Sequence, residues 1–273
     1  MDLQLRGKRT LVTGSSSGIG RGIALALAQE GAEVIVHGRD SARVEETQSL
    51  IANAGGRAHG TLGDLTSDQG AAEVRSAVMR ATNGIDILVN NIGGTEASKG
   101  SKPSWFDVVP EYWAGAMQQN LIGSVRMIHA FVPDMKARGW GRVINISAAG
   151  GVQPTLMAPD YCAAKAALNN MSVGLSKALA RSGVTVNTIS PGAVRTELFE
   201  RTLNRYGAKE GWPEDMDERE RRFIELDVFP CASTRFGRTE DIGALTAFLA
   251  SPLSDFVNGA NYRIDGGQCQ SVN

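Results

Sequence analysis

The feature that most constrains the fold of this chain is a regular alternation of short β-branched runs with longer segments of helical periodicity. This alternation is typical of an α/β protein in which crossover helices cover both faces of a parallel sheet. Single α/β domains reach 273 residues, so 1–273 is predicted to be one doubly wound domain. The predicted strands are 8–13, 33–37, 58–62, 85–90, 142–147, 185–190 and 262–265, and the predicted helices are 18–30, 42–54, 68–81, 110–138, 159–181 and 240–250.

One long segment, 196–238, interrupts the alternation after the sixth strand. A strand and a helix are usually joined by about 2 to 6 residues, and much longer connections are often lids or binding loops. We therefore predict that this segment is a substrate lid, the alternative being a surface excursion of two amphipathic helices. It carries a charged run at 214–222, and its large side chains offer candidates for an apolar wall, supplied by Leu198, Phe199, Trp212, Phe223 or Phe229.

Charge and hydropathy argue against several kinds of partner. The 28 basic and 29 acidic residues leave a net charge of -1, which gives no electrostatic footprint for a nucleic acid or an anionic membrane. No apolar run approaches the roughly 20 residues of a membrane helix, and residues 1–10 lack the apolar core of a secretion signal. The sequence thus predicts a soluble protein whose partners are small molecules or copies of itself.

The cysteine and histidine residues form no pattern typical of a disulfide framework or a metal site. The cysteines are odd in number and far apart, and the histidines lack the H-E-x-x-H spacing. We therefore expect reduced thiols, a cytoplasmic location and no catalytic metal. The residues concerned are Cys162, Cys231, Cys269, His37, His59 and His129.

A glycine-rich turn follows the first predicted strand and opens the first predicted helix. Residues 13–20 read TGSSSGIG. A pyrophosphate needs exposed backbone N–H groups, a close backbone approach and a helix N-terminus, all of which glycines in a strand-to-helix turn supply. We interpret the turn as a phosphate-binding site, although its spacing differs from the more familiar G-x-G-x-x-G.

Tyr161 and Lys165 form a candidate catalytic pair. They lie four residues apart in an Ala-rich helical segment, so they share one helix face. An ammonium at about 5 Å, with an effective dielectric near 20, stabilises a phenolate by roughly 3 kcal/mol, or about two pKa units. The spacing therefore predicts a lowered pKa for Tyr161 and a role as general acid/base, the alternative being a solvated pair on a helix surface.

Two further polar residues are candidates for the same site. Ser147 closes the apolar run 143–146, so its hydroxyl should emerge at the carboxyl edge of the sheet, where it would hold a carbonyl oxygen. Asn120 is polar among apolar neighbours in the preceding helix, where its amide would organise water or a backbone group. A local structural hydrogen bond is the alternative for Asn120.

Taken in order, these landmarks resemble the short-chain dehydrogenase/reductase family. They are TGSSSGIG at 13–20, NNIG at 90–93, Asn120, Ser147, YCAAK at 161–165 and PGAVRT at 191–196. The resemblance covers almost the whole chain and extends to members called 3-oxoacyl-[acyl-carrier-protein] reductases. It implies a Rossmann-type domain with a seven-stranded parallel sheet.

The resemblance also implies a role for each site residue. Tyr161 would give a proton to a carbonyl oxygen while hydride arrives from the nicotinamide, Ser147 would orient that oxygen, and Lys165 would bind the nicotinamide ribose. Asn120 would support a water relay. Asp64 and Leu65 would contact adenine. The implied cofactor-binding residues are Gly14, Ser16, Ser17, Gly18, Ile19, Gly20, Gly38, Arg39, Asp64, Leu65, Asn91, Gly93, Tyr161, Lys165, Pro191, Gly192, Val194 and Thr196.

The chain departs from the family pattern in two places. Ile92 stands where the usual N-N-A-G has alanine, which would crowd the cofactor loop locally. Ser147 and Tyr161 are slightly farther apart than usual, so 148–160 would shape an unusual pocket wall. Neither departure removes a reacting group.

The turn after the second strand predicts which nicotinamide cofactor is used. An enzyme selective for NAD usually carries Asp or Glu at this strand end, where the carboxylate accepts from the ribose hydroxyls and repels a 2′-phosphate. Here Gly38 occupies the position and would leave room for the phosphate, while the Arg39 guanidinium would pair with it. We expect NADP(H) to be preferred over NAD(H), the alternative being Arg39 in solvent beside a helix-capping Asp40.

These features predict an NADP(H)-dependent oxidoreductase that interconverts a carbonyl and a secondary alcohol. The alternatives are an enzyme of the same scaffold that acts on a sugar or cyclic diol with NAD, and a protein that senses NADP(H) without turnover. We also expect a homo-oligomer, a tetramer or a dimer, built from helices 110–138 and 159–181. Small residues such as Ala163 and Ala167 would permit close helix approach there.

Overall fold

The computed structural model describes residues 1–94, 105–156 and 158–270, and within them seven parallel strands form one sheet. The strands lie in the order β3-β2-β1-β4-β5-β6-β7. The predicted single Rossmann-type α/β domain is confirmed, with strand bounds close to those predicted. The strands are β1 Arg9–Val12, β2 Glu33–Gly38, β3 Arg57–Leu62, β4 Ile87–Asn90, β5 Gly141–Ile146, β6 Val184–Pro191 and β7 Asn261–Ile264.

Helices cover both faces of this sheet. They are α1 Gly18–Gln29, α2 Ser41–Asn53, α3 Asp68–Thr82, α4 Pro110–Met117, α5 Gly123–Arg138, α6 Pro159–Ala178, α7 Glu197–Glu210, α8 Met216–Glu225 and α9 Thr239–Ala250. One core cluster joins the sheet to α1, α2 and α9, and the other joins it to α3, α5 and α6. Successive strand residues face opposite sides, so Leu11 belongs to one cluster and Val12 to the other. The strand order reverses between β1 and β4, and open α/β sheets bind ligands at the carboxyl ends of such strands.

The predicted helix 110–138 is interrupted by a widened π-helical turn at Gln118–Ile122, which contains Asn120. The Asn120 amide donates to the carbonyl of Ala116, four residues earlier, at 3.0 Å. A side chain that competes for a helical carbonyl in this way disturbs the regular backbone ladder. Single π turns inside α-helices occur frequently at functional sites.

The segment 196–238 folds into α7 and α8, and most of its large apolar side chains pack on one another. The ring centroid of Phe199 lies 5.0 Å from that of Phe236 and 5.7 Å from that of Phe223, which is buried. These rings build a small core of their own under the two helices. Of the side chains predicted for the apolar wall, Phe199, Trp212, Phe223 and Phe229 pack in or against this core, whereas Leu198 is exposed.

A buried glutamate fixes α8 to the body of the domain. The Glu220 carboxylate accepts from Arg195 at 3.1 Å, from Arg238 at 2.9 Å and from the backbone N–H of Phe236 at 2.8 Å. Arg195 follows β6 and Arg238 precedes α9, so α8 is tied to both ends of the insertion.

Candidate active site

A cleft of about 480 Å³ brings together, at the carboxyl edge of the sheet, many of the residues that the sequence singles out. The predicted residues in its lining are Gly14, Ser17, Gly18, Ile19, Gly20, Asn91, Gly93, Ser147, Tyr161, Lys165 and Thr196. The lining also contains residues to which the sequence assigns no role in the site, among them Arg43, Gly94, Glu197 and Arg201, together with the lid residue Leu198.

A second cavity of about 200 Å³ adjoins the cleft, since the two share Gly14, Ser17, Asn91 and Gly93. Of the predicted cofactor residues, Ser16, Gly38, Arg39 and Asp64 line this second cavity. His37, Thr66 and Gln119 line it as well, and the sequence reasoning missed them.

The glycine-rich turn has the backbone geometry that a bound phosphate requires. Gly14 and Gly18 have φ values of 64° and 54°, a left-handed conformation that favours glycine. Ser17 is the N-cap of α1, yet its side chain makes no capping hydrogen bond, so the first-turn N–H groups remain for a ligand. The turn therefore fits a dinucleotide pyrophosphate.

Asn91 holds this turn against the end of β4. Its Nδ2 donates to the carbonyls of Thr13 and Gly14 at 3.0 and 3.2 Å. A Cβ on Gly20 would collide with the Asn91 amide and with the Gly14 carbonyl, so only glycine fits there. Ile92, which replaces the usual alanine, packs against the core cluster that contains α3 and α5 and lines the second cavity.

His37 is a further support of the turn. The Gly14 N–H donates to Nδ1 of His37 at 3.0 Å, and Nε2 lies 3.1 Å from the Gly63 carbonyl, so the proton of the neutral ring resides on Nε2. Burial lowers the pKa of His37 to about 4. The signal in the sequence was a histidine at the end of an otherwise apolar strand.

We predict that His37→Gln flattens the dependence of stability on pH. The unfolded chain takes up a proton near the ordinary histidine pKa of about 6.5, whereas the folded chain does so only near pH 4. Stability is therefore lost as the pH falls through this window, by about 2 kcal/mol between pH 7 and pH 5. Urea unfolding of both proteins at these two pH values measures the difference. Equal losses in the variant and the wild type would contradict the assignment.

Asn120 makes backbone contacts beside the reacting groups. Its Oδ1 accepts from the Gly94 N–H at 3.0 Å, and its Nδ2 donates to the Gly94 carbonyl at 2.8 Å. A Cβ on Gly93 would lie 2.8 Å from Asn120 Oδ1 and 2.9 Å from Lys165 Nζ. Glycine at 93 thus allows both polar side chains to approach one stretch of backbone.

Ser147 and Lys165 are linked at the end of β5. The Ser147 hydroxyl donates to the Lys165 carbonyl at 3.1 Å, and Lys165 Nζ donates to the Ile146 carbonyl at 2.9 Å. The same ammonium lies 5.7 Å from the centroid of the Tyr161 ring. The predicted shared helix face of Tyr161 and Lys165 is thus present in α6, and both residues line the cleft.

The predicted lowering of the Tyr161 pKa is wrong for this geometry. Burial raises the pKa of Tyr161 and lowers that of Lys165 to about 7, so the neutral forms of both groups are favoured. The helical spacing correctly placed the pair on one face, but desolvation outweighs their attraction. Tyr161 is consequently protonated near neutral pH, which is the form that donates a proton.

Gly38 has a packing role that differs from the predicted one. A Cβ at this position would lie 2.7 Å from Ser16 Oγ and 2.9 Å from a methyl group of Val44. Glycine here allows the phosphate turn to approach β2, so it does not simply leave room for a phosphate. Arg39 lines the second cavity, and Asp40 caps α2 by accepting from the Arg43 N–H at 3.2 Å.

Several predicted cofactor residues lie outside the two cavities. The Leu65 side chain is fully buried in the core, so only its backbone is left for contact with adenine. Pro191 ends β6, Val194 is buried, and a Cβ on Gly192 would lie 2.7 Å from Gln268 Oε1. Thr196, in contrast, lines the cleft and caps α7.

Within residues 1–94, 105–156 and 158–270, no group of three or more histidine, cysteine or acidic side chains is arranged to hold a metal ion. In the same ranges, no helix combines the length and hydropathy needed to cross a membrane.

Comparisons with known proteins agree with this geometry. The chain is 35% identical over 268 residues to D-beta-hydroxybutyrate dehydrogenase of Cupriavidus necator, covering 96% of this chain and 98% of that one. It is 31% identical over 268 residues to the 3-oxoacyl-[acyl-carrier-protein] reductase FabG of Aquifex aeolicus, covering 98% and 99%. L-sorbose reductase of Gluconobacter frateurii, solved with NADPH and L-sorbose, superposes with a TM-score of 0.91 at 29% identity over the whole of both chains.

The family model of short chain dehydrogenases matches residues 8–206, which include the phosphate-binding turn, Asn120, Ser147, Tyr161 and Lys165. The protein therefore belongs to the short-chain dehydrogenase family and is an enzyme that acts on CH–OH donors with NAD(P).

Proposed function

We propose that the protein is an NADP(H)-dependent oxidoreductase that interconverts a ketone and a secondary alcohol, with Tyr161 as general acid/base. The observation that carries the proposal is the cleft itself, which places the phosphate-binding turn and the side chains of Ser147, Tyr161 and Lys165 around one space. Bound NADP(H) supplies or accepts the hydride.

The residues of this chain position the carbonyl and move its proton. Tyr161 donates its phenolic proton to the carbonyl oxygen, and burial keeps that proton in place until negative charge develops on the substrate. The Ser147 hydroxyl, which donates to the Lys165 carbonyl in this structure, turns to the same oxygen and orients it. Lys165 is held by the Ile146 carbonyl at the cleft wall, where it binds the nicotinamide ribose.

Asn120 completes the proposed proton path. Its amide holds the Gly94 backbone beside Lys165, and water ordered there would return a proton to the buried groups after each turnover. The proposed lid is α7, whose residues Glu197, Leu198 and Arg201 line the cleft. Leu198 is 73% exposed, and a substrate in the cleft would cover part of this surface.

Two observations support NADP(H) rather than NAD(H). Arg39 lines the second cavity beside Ser16 and Gly38, and no carboxylate stands at the end of β2. Solved relatives include L-sorbose reductase with NADPH and a gluconate 5-dehydrogenase of Burkholderia cenocepacia with NADP. The alternative is an enzyme that uses NAD on a sugar or cyclic diol. Such an enzyme would need an acidic residue for the ribose hydroxyls at this strand end, where β2 has Gly38 instead.

The proposed function predicts NADPH oxidation in the presence of a ketone. The panel should contain a ketose, a 3-oxo acid and a 3-oxoacyl thioester, and the corresponding alcohols should be tested with NADP⁺. These classes are chosen because the relatives are named for L-sorbose, D-beta-hydroxybutyrate and a 3-oxoacyl-[acyl-carrier-protein]. Turnover is expected with at least one class. NADPH binding without turnover across the whole panel would instead favour the cofactor-sensing alternative.

Assembly and location also belong to the proposal. α5 and α6 are the helices through which a dimer or tetramer would form, and α6 leaves Val173 38% exposed. Light scattering at micromolar concentration measures the assembly. A cytoplasmic location is also part of the proposal, and Cys162 and Cys269 would remain there as buried free thiols.

A further inference from the structure

Two guanidinium groups with no assigned role face the phosphate-binding end of the cleft. Arg43 comes from α2 and Arg201 from α7, and both line the cavity that contains Gly18 and Gly20. Within residues 1–94, 105–156 and 158–270, no side-chain ion pair or hydrogen bond is recorded for either guanidinium. The two arginines therefore bring positive charge to a wall where the acid Glu197 is already paired with Arg21.

Two carboxylates about one helical turn from these arginines already have another partner. Glu197, one helical turn before Arg201, pairs with Arg21 at 3.2 Å. Glu46, three residues after Arg43, pairs with the same Arg21 at 2.7 Å. Arg21 thereby binds one acid of α2 and one acid of α7, and Arg43 and Arg201 remain available for an external anion.

The position of α7 brings Arg201 to the phosphate turn. A Cβ on Gly18 would lie 3.7 Å from the Thr196 methyl group, so the first turn of α7 stands directly over the first turn of α1. Glu197, Leu198 and Arg201 line the cleft together, which agrees with the i, i+1 and i+4 positions of one helix face. Arg39, in contrast, lines the second cavity.

We propose that Arg201 and Arg43 form a clamp on the cofactor pyrophosphate, and that Arg201 couples dinucleotide binding to closure of α7. Guanidinium groups bind phosphate oxygens bidentately, and a doubly charged pyrophosphate offers oxygens to both. Before binding, the two like charges repel across the cleft; the anion between them replaces this repulsion by attraction. Thr196, the N-cap of α7, stands over Gly18, so the start of α7 is the part of the insertion that the bound anion draws inwards.

The inference rests on the proposed dinucleotide site but not on a preference for NADP. A pyrophosphate clamp serves both cofactors, because NAD and NADP share this group. Arg201→Gln is therefore expected to raise the Kd of NADP⁺ and of NAD⁺ by the same factor, about tenfold for a charge-assisted contact. Arg43→Gln should act in the same direction. Arg205→Gln is the matched control, since Arg205 lies one turn farther along α7 and outside the cleft lining.

Closure is measured by limited proteolysis with chymotrypsin, because the substitutions leave its cleavage sites unchanged. Saturating NADP⁺ should protect 196–238 in the wild type and in Arg205→Gln, but not in Arg201→Gln at a concentration that saturates this variant as well. The proposal is overturned if both Kd values are unchanged, if only the NADP⁺ value rises, or if only the KM of an anionic substrate rises. Absence of dinucleotide binding by the wild type would overturn the proposed function itself.

Discussion

Replacing Tyr161 by phenylalanine is expected to abolish turnover while the Kd of NADPH stays within a few-fold of the wild-type value. The substitution removes the phenolic proton and keeps the ring that contributes to the cleft wall. A positioned general acid contributes about 10²- to 10⁴-fold to a rate, so the loss should appear in kcat rather than in cofactor affinity.

The protonation state of Tyr161 agrees with its proposed role as the acid. Burial raises the pKa of Tyr161, so near neutral pH the proton is present and ready for transfer in the direction of ketone reduction. Lys165 has a pKa lowered to about 7 and donates to the Ile146 carbonyl, so it is poorly placed to replace the lost acid.

Stopped assays of NADPH oxidation, with fluorescence titration of NADPH, measure both quantities. Tyr112→Phe is the matched control, because this tyrosine lies on α4 with its side chain 47% exposed and does not line the cleft. If Tyr161→Phe retained more than about a tenth of wild-type turnover, the assignment of Tyr161 as the acid would be wrong.

The second large effect concerns the cofactor. The wild type should prefer NADPH over NADH by at least about tenfold in kcat/KM, since a charge-assisted contact of roughly 1.5 to 3 kcal/mol corresponds to about 10- to 150-fold. Arg39→Leu should abolish this preference by weakening NADPH alone. The NADH activity of the same variant is the internal control, because NADH lacks the 2′-phosphate.

Gly38 should be left unchanged in this experiment. An aspartate there would press its Cβ against Ser16 and Val44, so a loss of NADPH activity would report a displaced phosphate turn and not the new charge. Arg39→Lys is the better companion, since it keeps the charge but loses the bidentate geometry and should give an intermediate preference. A wild-type enzyme that prefers NADH would show that the end of β2 has been misinterpreted.

The sheet and the chemistry of the site follow from local patterns in the sequence. Strands such as β5 are apolar runs with clear ends, and the glycines of the phosphate turn are required by backbone conformation. The helical face shared by Tyr161 and Lys165 follows from their spacing alone. Such features depend on residues close in the chain, which explains why they were predictable.

The features that the sequence did not predict depend on contacts between distant segments. The direction of the Tyr161 pKa shift is set by burial, which the helix α6 alone does not determine. Gly38 is required because Ser16 lies against it, and His37 matters because Gly14 and Gly63 meet its two ring nitrogens. Likewise, Phe223 packs with neighbours from its own insertion, and no periodicity distinguishes that arrangement from a wall facing substrate.

Because of the widened turn at Gln118–Ile122, the orientation of Asn120 beside the cleft depends on the number of residues in the helix. A π turn resembles one residue inserted into an α-helix, and each helical residue adds about 100°. Deleting one of the other four residues of this turn would straighten the helix and swing Asn120 away from the Gly94 backbone that it holds from both sides. Deletions of one residue are common at loop tips. Here, however, such a deletion would lower activity as an active-site substitution does, even though every reacting side chain is retained.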